Sequence, residues 1–279
     1  MRLSLCNEVV RELPFERQCD LAAQLGYAGL EVAPFTLGDD AYLMSAERRA
    51  ELRRSCSEAG VRVSGLHWLL VLPAGLSITT ANRSVWERTV EIMRRLIELC
   101  ADLDGDYLVH GSPAQRRITQ DEGAADAAAR GEEAWAAIAA DAERAGVVYC
   151  IEPLARRETE FVNTVADAAE IVRRIGSKAV RTMIDTSAAA VSETEPVADL
   201  IARWMPSGLI AHVQLNDRNR RGPGQGEDQF APVLAALRRE SYDGWIAMEP
   251  FDYVPDGPTC AARCIGYVAG ILEALDRKT

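Results

Sequence analysis

The stretch VVYCIEP at residues 147–153 is a short, β-rich apolar run that is closed by a glutamate. The same form returns as RTMIDT at 181–186 and as WIAMEP at 245–250, each apolar run again closed by an acid. Buried parallel strands are typically continuous apolar runs, because helices cover both of their faces. The three stretches therefore predict parallel strands that each carry a carboxylate at the carboxyl end.

Outward from these stretches, the whole chain alternates short β-rich runs with amphipathic helical patterns, eight times. Eight βα units in 279 residues fit the (β/α)8 TIM barrel, which typically takes about 250 residues. The competing doubly wound sheet usually has a GxGxxG turn after its first strand, and this sequence lacks one there. We therefore predict an α/β protein that forms a single (β/α)8 TIM-barrel domain over residues 1–279.

The boundaries of the predicted elements follow from the apolar periodicity and from Gly, Pro and Ser at the element ends. The predicted strands are 2–6, 29–33, 61–69, 106–111, 147–153, 180–186, 209–217 and 245–251. The predicted helices are 14–25, 45–59, 84–103, 122–145, 164–175, 196–205, 230–239 and 259–275.

The composition is that of a soluble globular protein, with 48% hydrophobic and 26% charged residues. The apolar runs are far shorter than the roughly 20 residues that span a bilayer, so we expect no membrane segment. The N-terminal sequence lacks signal-peptide features, and seven scattered cysteines without a CxxC pair indicate reduced thiols. Both features predict a cytoplasmic protein. The formal net charge of −11 argues against nucleic acid as a partner.

Acids close predicted strands five, six and eight, and a glutamine lies near the end of strand seven. Catalytic groups of such barrels lie at the carboxyl ends of the strands. One mouth of the barrel is therefore expected to gather Glu152, Asp185, Gln214 and Glu249. Converging carboxylates favour a bound cation, and this oxygen-rich set suits one divalent ion such as Mg²⁺ or Mn²⁺. The alternative is that the acids pair with arginines for structural reasons.

The only three histidines of the sequence all fall late in predicted strands. They are His67 in strand three, His110 at the end of strand four and His212 within strand seven. We expect them to orient substrate hydroxyls or to act as auxiliary acid–base groups; the alternative is a structural role in the core. Polar loops at the same mouth add Glu158 and Arg220, and such loops can bind hydroxyl, carboxylate or phosphate groups.

Five motifs, spread over nearly the whole chain, carry a resemblance to a known family. They are HGSPAQR at 110–116, IEPLARRET at 151–159 followed by FVNT at 161–164, MIDT at 183–186, HVQLNDRNRRGPGQG at 212–226 and DGWIAMEPF at 243–251. Together they resemble the sugar isomerase/epimerase superfamily, which has a xylose-isomerase-like TIM barrel. Within it they are similar to ketose 3-epimerases of the tagatose and psicose type and to hydroxypyruvate isomerase.

The resemblance implies one divalent metal ion, Mn²⁺, Mg²⁺ or Co²⁺, held by Glu152, Asp185, Gln214 and Glu249. It also implies that the two glutamates shuttle the proton, that Glu158 and Arg220 contact substrate, and that the protein forms dimers or tetramers. Two positions differ from the ketose epimerases. They carry histidine at the position of Gln214, where hydroxypyruvate isomerase has glutamine, and both carry histidine at the position of Ala188.

The reaction that these expectations imply is proton removal beside a carbonyl, through a cis-enediolate, in a ketose or related polyol carbonyl compound. The alternative is a metal-dependent lyase or dehydratase on a keto-sugar, keto-inositol or oxidised glycoside, which begins with the same step. A nuclease for abasic DNA shares the barrel, but three histidines and the acidic charge argue against it. A sugar-binding barrel without catalysis is the remaining alternative.

Overall fold

A closed barrel of eight parallel strands forms the centre of the computed structural model, which describes residues 1–118 and 123–277. The strands, β1 to β8 in chain order, are Arg2–Cys6, Gly29–Val32, Arg62–Leu66, Tyr107–His110, Val148–Ile151, Val180–Asp185, Ile210–Leu215 and Trp245–Met248. Each strand pairs with the next along the chain, and β8 closes the barrel on β1. This closure confirms the predicted barrel and excludes the doubly wound sheet.

Helices surround the barrel throughout the described ranges. In chain order, α1 to α10 are Phe15–Leu25, Ala46–Ala59, Arg83–Asp102, Ala124–Ala137, Ala139–Ala145, Val165–Ile175, Thr186–Ser192, Val197–Trp204, Phe230–Arg239 and Gly257–Asp276. Local chemistry sets several of their ends. Ser45 caps α2 by accepting a hydrogen bond from the Arg48 amide, and Gly26 and Gly60 end α1 and α2 in the left-handed conformation.

Two apolar clusters fill the molecule and leave one end of the barrel for polar groups. The larger cluster lies between the strands and the helices. The smaller one comprises Tyr107, Val109, Cys150, Met183 and Trp245, which belong to β4, β5, β6 and β8. The acids that close β5, β6 and β8 lie beyond these residues along the chain, at the carboxyl ends of the strands.

The helical segments differ from the prediction in two places. The run at 122–145 is two helices, because Ile138 leaves helical geometry (φ −102°, ψ −3°) while its side chain is fully buried; residue 122 itself lies outside the described residues. The short helix α7 was not predicted. It begins directly after β6, since the Asp185 side chain caps its first turn. Among the described residues, no helix combines the length and the apolarity that crossing a bilayer requires.

Candidate active site

Three acids meet at the carboxyl ends of β5, β6 and β8. Carboxylate oxygens of Glu152, Asp185 and Glu249 lie within 4.8 Å of one another, and all three side chains are buried. Parallel strands of a barrel end at the same mouth, so acids at equivalent positions converge although up to about a hundred residues separate them. The structure therefore brings together the three predicted carboxylates at a spacing that suits one cation.

Asp185 is held by contacts to both of its carboxylate oxygens. Oδ1 accepts hydrogen bonds from the Ala188 amide at 2.6 Å and from the Ser187 hydroxyl at 3.0 Å. Oδ2 accepts from Asn216 Nδ2 at 2.8 Å. The same side chain thus caps helix α7 and faces the other two acids, which fixes its orientation.

Asn216 is a site residue that sequence reasoning missed. Besides its bond to Asp185, its Nδ2 lies 3.4 Å from Glu249 Oε2, and its Oδ1 accepts from the Ser187 amide at 3.0 Å. The signal was present in the sequence, because Asn216 follows Gln214 by two residues and strand side chains alternate between faces. Through these three contacts, Asn216 links the ends of β6, β7 and β8.

Gln214 lies on β7 in register with Asp185, as predicted. Its Nε2 donates to Glu31 Oε1 at 2.6 Å. Its Oε1 is buried and has no hydrogen-bond partner among the described residues. A buried carbonyl oxygen without a partner is unfavourable, and a divalent cation is a fitting partner for it. The donor set of three carboxylates and one free amide oxygen therefore fits a hard metal ion.

His67 lies buried between two carboxylates, whereas we expected it to contact substrate. Its ring is 1% exposed, with Nδ1 3.0 Å from Glu249 Oε1 and Nε2 2.9 Å from Glu8 Oε2. Burial alone would lower the pKa of His67, but the neighbouring Glu8 and Glu249 outweigh it and hold that pKa well above the usual range. Both ring nitrogens face carboxylates, so neither is free for a substrate.

The other two histidines are also fully buried. His110 Nδ1 is 2.8 Å from the Tyr149 hydroxyl and accepts from Trp135 Nε1 at 3.1 Å, which places the ring on the helix side of β4. His212 lies inside the barrel, stacked on Tyr107 with ring centroids 4.0 Å apart. Neither ring lines the cavity that opens above the acids, so the structure does not bring these two predicted substrate contacts to it.

Glu31 on β2 is a second residue that sequence reasoning missed, and it organises the barrel interior. His212 Nε2 lies 2.8 Å from its Oε2, and the Gln214 amide and the Tyr107 hydroxyl both donate to its carboxylate. Burial raises the pKa of Glu31, but His212 and the other partners outweigh this and lower it to about 2. The charged, fully buried Glu31 therefore holds the Gln214 amide in place by accepting its hydrogen bond.

The three converging acids are electrostatically strained. Burial raises the pKa of Glu152 well above its usual value, and Asp185 raises it further. Burial also raises the pKa of Glu249 and of Asp185; His67 opposes this at Glu249, and hydrogen bonds from Ala188 and Asn216 oppose it at Asp185. Three desolvated carboxylates so close together favour protonation or a cation between them.

The backbone around Glu152 is fixed by Arg116, the last residue of the HGSPAQR motif. The guanidinium is fully buried and donates to the carbonyl oxygens of Glu152 at 2.7 Å and Phe161 at 2.7 Å, and to those of His110 and Gly111 at 3.2 Å. It therefore ties the ends of β4 and β5 to the loop that follows β5.

A cavity of about 250 Å³ opens above the acids. Its lining contains both predicted loop contacts, Glu158 and Arg220, together with the three acids, Trp68, Gly111, Ser112, Pro113, Leu154, Ser187, Ala188 and Phe251. The Arg220 guanidinium lies 4.7 Å from the Phe251 ring centroid, and Trp68 packs edge-on against Phe251. The lining thus combines an aromatic pair with the charged side chains of the acids, Glu158 and Arg220. Such a cavity suits a small polyhydroxy compound with an apolar face.

Comparisons with known proteins agree with this fold and site. A profile of the xylose isomerase-like TIM barrel family matches residues 19–264. A D-psicose 3-epimerase of Agrobacterium fabrum is 30% identical over 82% of this chain and 76% of that protein. A D-psicose 3-epimerase of Enterocloster bolteae is 29% identical over 85% of this chain and 77% of that protein.

A solved structure of an L-ribulose 3-epimerase has the same fold, with a TM-score of 0.84 at 23% identity over 99% of this chain and 96% of that one. The two relatives found by sequence are epimerases, and epimerases are isomerases. The family profile matches far more than half of the sequence, and the closed barrel carries its acids where the resemblance of the motifs implied. The chain therefore belongs to the xylose isomerase-like TIM barrel family.

Proposed function

We propose that this protein is a sugar epimerase of the isomerase class that depends on a divalent metal and acts on a ketose or related polyol carbonyl compound. The observation that carries the proposal is the pair of buried glutamates, Glu152 and Glu249, that face one cavity together with Asp185. The similarity to D-psicose 3-epimerases over most of the chain supports it. The comparisons give the lyase alternative no support.

The residues that would hold the metal are Glu152, Asp185, Gln214 and Glu249. The Oε1 of Gln214, which has no partner among the described residues, and the mutual repulsion of the acids support this assignment. Such oxygen donors suit Mn²⁺ and Mg²⁺, and the resemblance of the motifs adds Co²⁺. When bound, a divalent ion would act as a Lewis acid toward the substrate carbonyl and increase the acidity of the adjacent C–H bond.

Glu152 and Glu249 would move the proton. One carboxylate removes it from the carbon beside the carbonyl, and the other returns a proton to the opposite face of that carbon. They directly follow β5 and β8, and β6 and β7 lie between those strands, which supports their use from two sides of the reacting carbon. Burial, which raises the pKa of both groups, strengthens them as bases relative to an exposed glutamate.

Glu158 and Arg220 would position the substrate above the acids. Both line the cavity, and Glu158 is itself oriented by the Ala155 amide, which donates to its Oε2 at 3.2 Å. Arg220 is held against Phe251, so its guanidinium is presented at a fixed place on the rim. Trp68 and Phe251 would cover the apolar face of a sugar and exclude water from the reacting carbon.

The test is solvent deuterium uptake by a panel of ketoses and related keto-sugars in D₂O with Mn²⁺, read by mass spectrometry. We expect one deuteron per turnover with no other change of mass, and loss of uptake in Glu152→Gln and Glu249→Gln. Glu98→Gln, at an exposed position of α3, is the matched control and should retain uptake. Loss of water or of an aglycone would identify a lyase instead, and absence of exchange across the panel with Mn²⁺ bound would contradict the proposal.

A further inference from the structure

A buried row of side chains lies behind the carboxylate of Glu249. Glu249 Oε1 is 3.0 Å from His67 Nδ1, and Nε2 of the same ring is 2.9 Å from Glu8 Oε2. His67 and Glu8 are each 1% exposed, and neither lines the cavity. The row therefore supports Glu249 from a side that substrate does not reach.

The other glutamate of the pair has a different support. The side chain of Glu152 makes no hydrogen bond to any described residue, whereas its backbone is held by Arg116 and by His110. In Glu249, Oε1 faces His67 and Oε2 faces the Asn216 amide at 3.4 Å. The two carboxylates are therefore unequal: Glu249 has a hydrogen-bond partner at each oxygen, whereas the Glu152 carboxylate has none among the described residues.

The contact with His67 is the one side-chain hydrogen bond that Glu8 makes among the described residues. Glu8 lies in the turn that follows β1, fully enclosed, and among the described residues its Oε1 has no hydrogen-bond partner. A buried carboxylate with a single partner is unfavourable. If Glu8 served packing alone, an apolar side chain could replace it with little loss of stability. Its contact with His67 is thus what gives the residue a role.

We propose that Glu8 and His67 are positioning residues for Glu249: Glu8 orients the imidazole, and Nδ1 of that ring fixes Oε1 so that Oε2 faces Asp185 and the metal. This inference rests on the proposed function only for its effect on turnover. Its effect on the geometry of the metal site needs no sugar. Partners of a ligating side chain that set its orientation commonly have this effect in metalloenzymes.

The same atoms could in principle hold a second metal, because ligand atoms of Cys6, Glu8, His67 and Glu249 also lie within 4.8 Å of one another. The contacts favour the hydrogen-bonded row. Both imidazole nitrogens already lie at hydrogen-bond distance from a carboxylate, and the Cys6 thiol contacts Glu31 at 3.6 Å. A metal there would have to displace all of these contacts.

The experiment is a double-mutant cycle on the full-length protein with Glu8→Gln, His67→Asn and the double variant. Calorimetric titration with Mn²⁺ alone gives the dissociation constant, and steady-state kinetics gives kcat and KM separately. We expect His67→Asn to weaken Mn²⁺ binding and to lower kcat by about 10- to 100-fold, with KM nearly unchanged. Glu8→Gln should act in the same direction but less strongly. The double variant should be no worse than His67→Asn, because Glu8 acts only through His67.

His110→Gln is the control for general loss of a buried histidine, since His110 is equally buried but faces away from the acids. It should keep the Mn²⁺ affinity of the wild type. Effects of Glu8→Gln and His67→Asn that multiply in the double variant, or unchanged Mn²⁺ affinity in His67→Asn, would overturn the proposal. So would two equivalents of Mn²⁺ in the wild type and one in His67→Asn. If no sugar is turned over, the proposed function fails while the titration still decides this inference; if the wild type binds no Mn²⁺, both fail.

Discussion

Gly111, directly after β4, shows how closely the backbone approaches the carboxylate of Glu152, the proposed proton-transfer group. A Cβ atom at this position would collide with Oε2 of Glu152. Gly111→Ala should therefore displace the Glu152 carboxylate and lower kcat by about 100-fold, the effect expected when a reacting group moves by about 1 Å. Steady-state kinetics with a substrate from the deuterium panel measures it.

Gly270→Ala is the matched control for this change. It lies in α10, and nothing lies within 4 Å of the added methyl group. Alanine favours a helix interior by roughly 0.5–1 kcal/mol over glycine, so the control should be as active as wild type and slightly more stable. Full activity in Gly111→Ala would show that the position of the Glu152 carboxylate is not critical.

At the scale of elements, helix α7 depends on Asp185, which is both its N-cap and a predicted metal ligand. Asparagine also caps helices well but carries no charge, whereas alanine does neither. Both substitutions relieve the same repulsion among the acids. In metal-free protein we therefore expect Asp185→Ala to be less stable than Asp185→Asn by about 1 kcal/mol.

Urea unfolding with a chelator present measures this difference, and a Mn²⁺ titration should show that both variants bind the ion poorly. Equal stability of the two variants would mean that the cap contributes nothing to α7. Mn²⁺ affinity of the wild-type level in Asp185→Asn would remove Asp185 from the ligand set.

At the scale of the whole molecule, the strained acids predict how stability depends on pH. The pKa values of Glu152, Asp185 and Glu249 are raised by folding, mainly through burial, so the native state retains protons that the unfolded chain has lost. The contribution of these three acids to the free energy of unfolding is fully present at low pH. It is lost as the pH rises above about 4.5 toward their raised pKa values. Metal-free protein should therefore become less stable between pH 5 and 8, by about 1.4 kcal/mol for each pKa unit.

Urea unfolding at several pH values, with chelator or with excess Mn²⁺, tests this expectation. Mn²⁺ binds the ionised acids and should remove the loss of stability, while Glu152→Gln should reduce it in metal-free protein. Glu31 has the opposite sign, because its lowered pKa of about 2 stabilises the protein above pH 4.5 and loses that effect only below. If the free energy of unfolding of the metal-free protein rose from pH 5 to 8, this would contradict the expectation that folding raises the pKa values of the three acids.

Much of the fold and part of the site could be predicted, because both depend on local pattern. Apolar runs closed by acids gave the strands and placed Glu152, Asp185 and Glu249 at their ends, where the structure has them. Gln214 was found in the register expected from strand alternation. Glu158 and Arg220 followed from charged loops at the same mouth, and both line the cavity.

What the sequence by itself determined is the barrel and the set of oxygen donors at its mouth, since strand periodicity is a property of neighbouring residues. Only the tertiary structure decided that His67 contacts Glu249, that His110 faces the helices, and that Glu8, Glu31 and Asn216 belong to the polar centre. His67 is separated from Glu8 by 59 positions and from Glu249 by 182, and no local pattern encodes such pairs. Beyond the end of a strand, the direction of each side chain depends on the conformation of the loop. That conformation depends on packing in three dimensions rather than on the local sequence pattern.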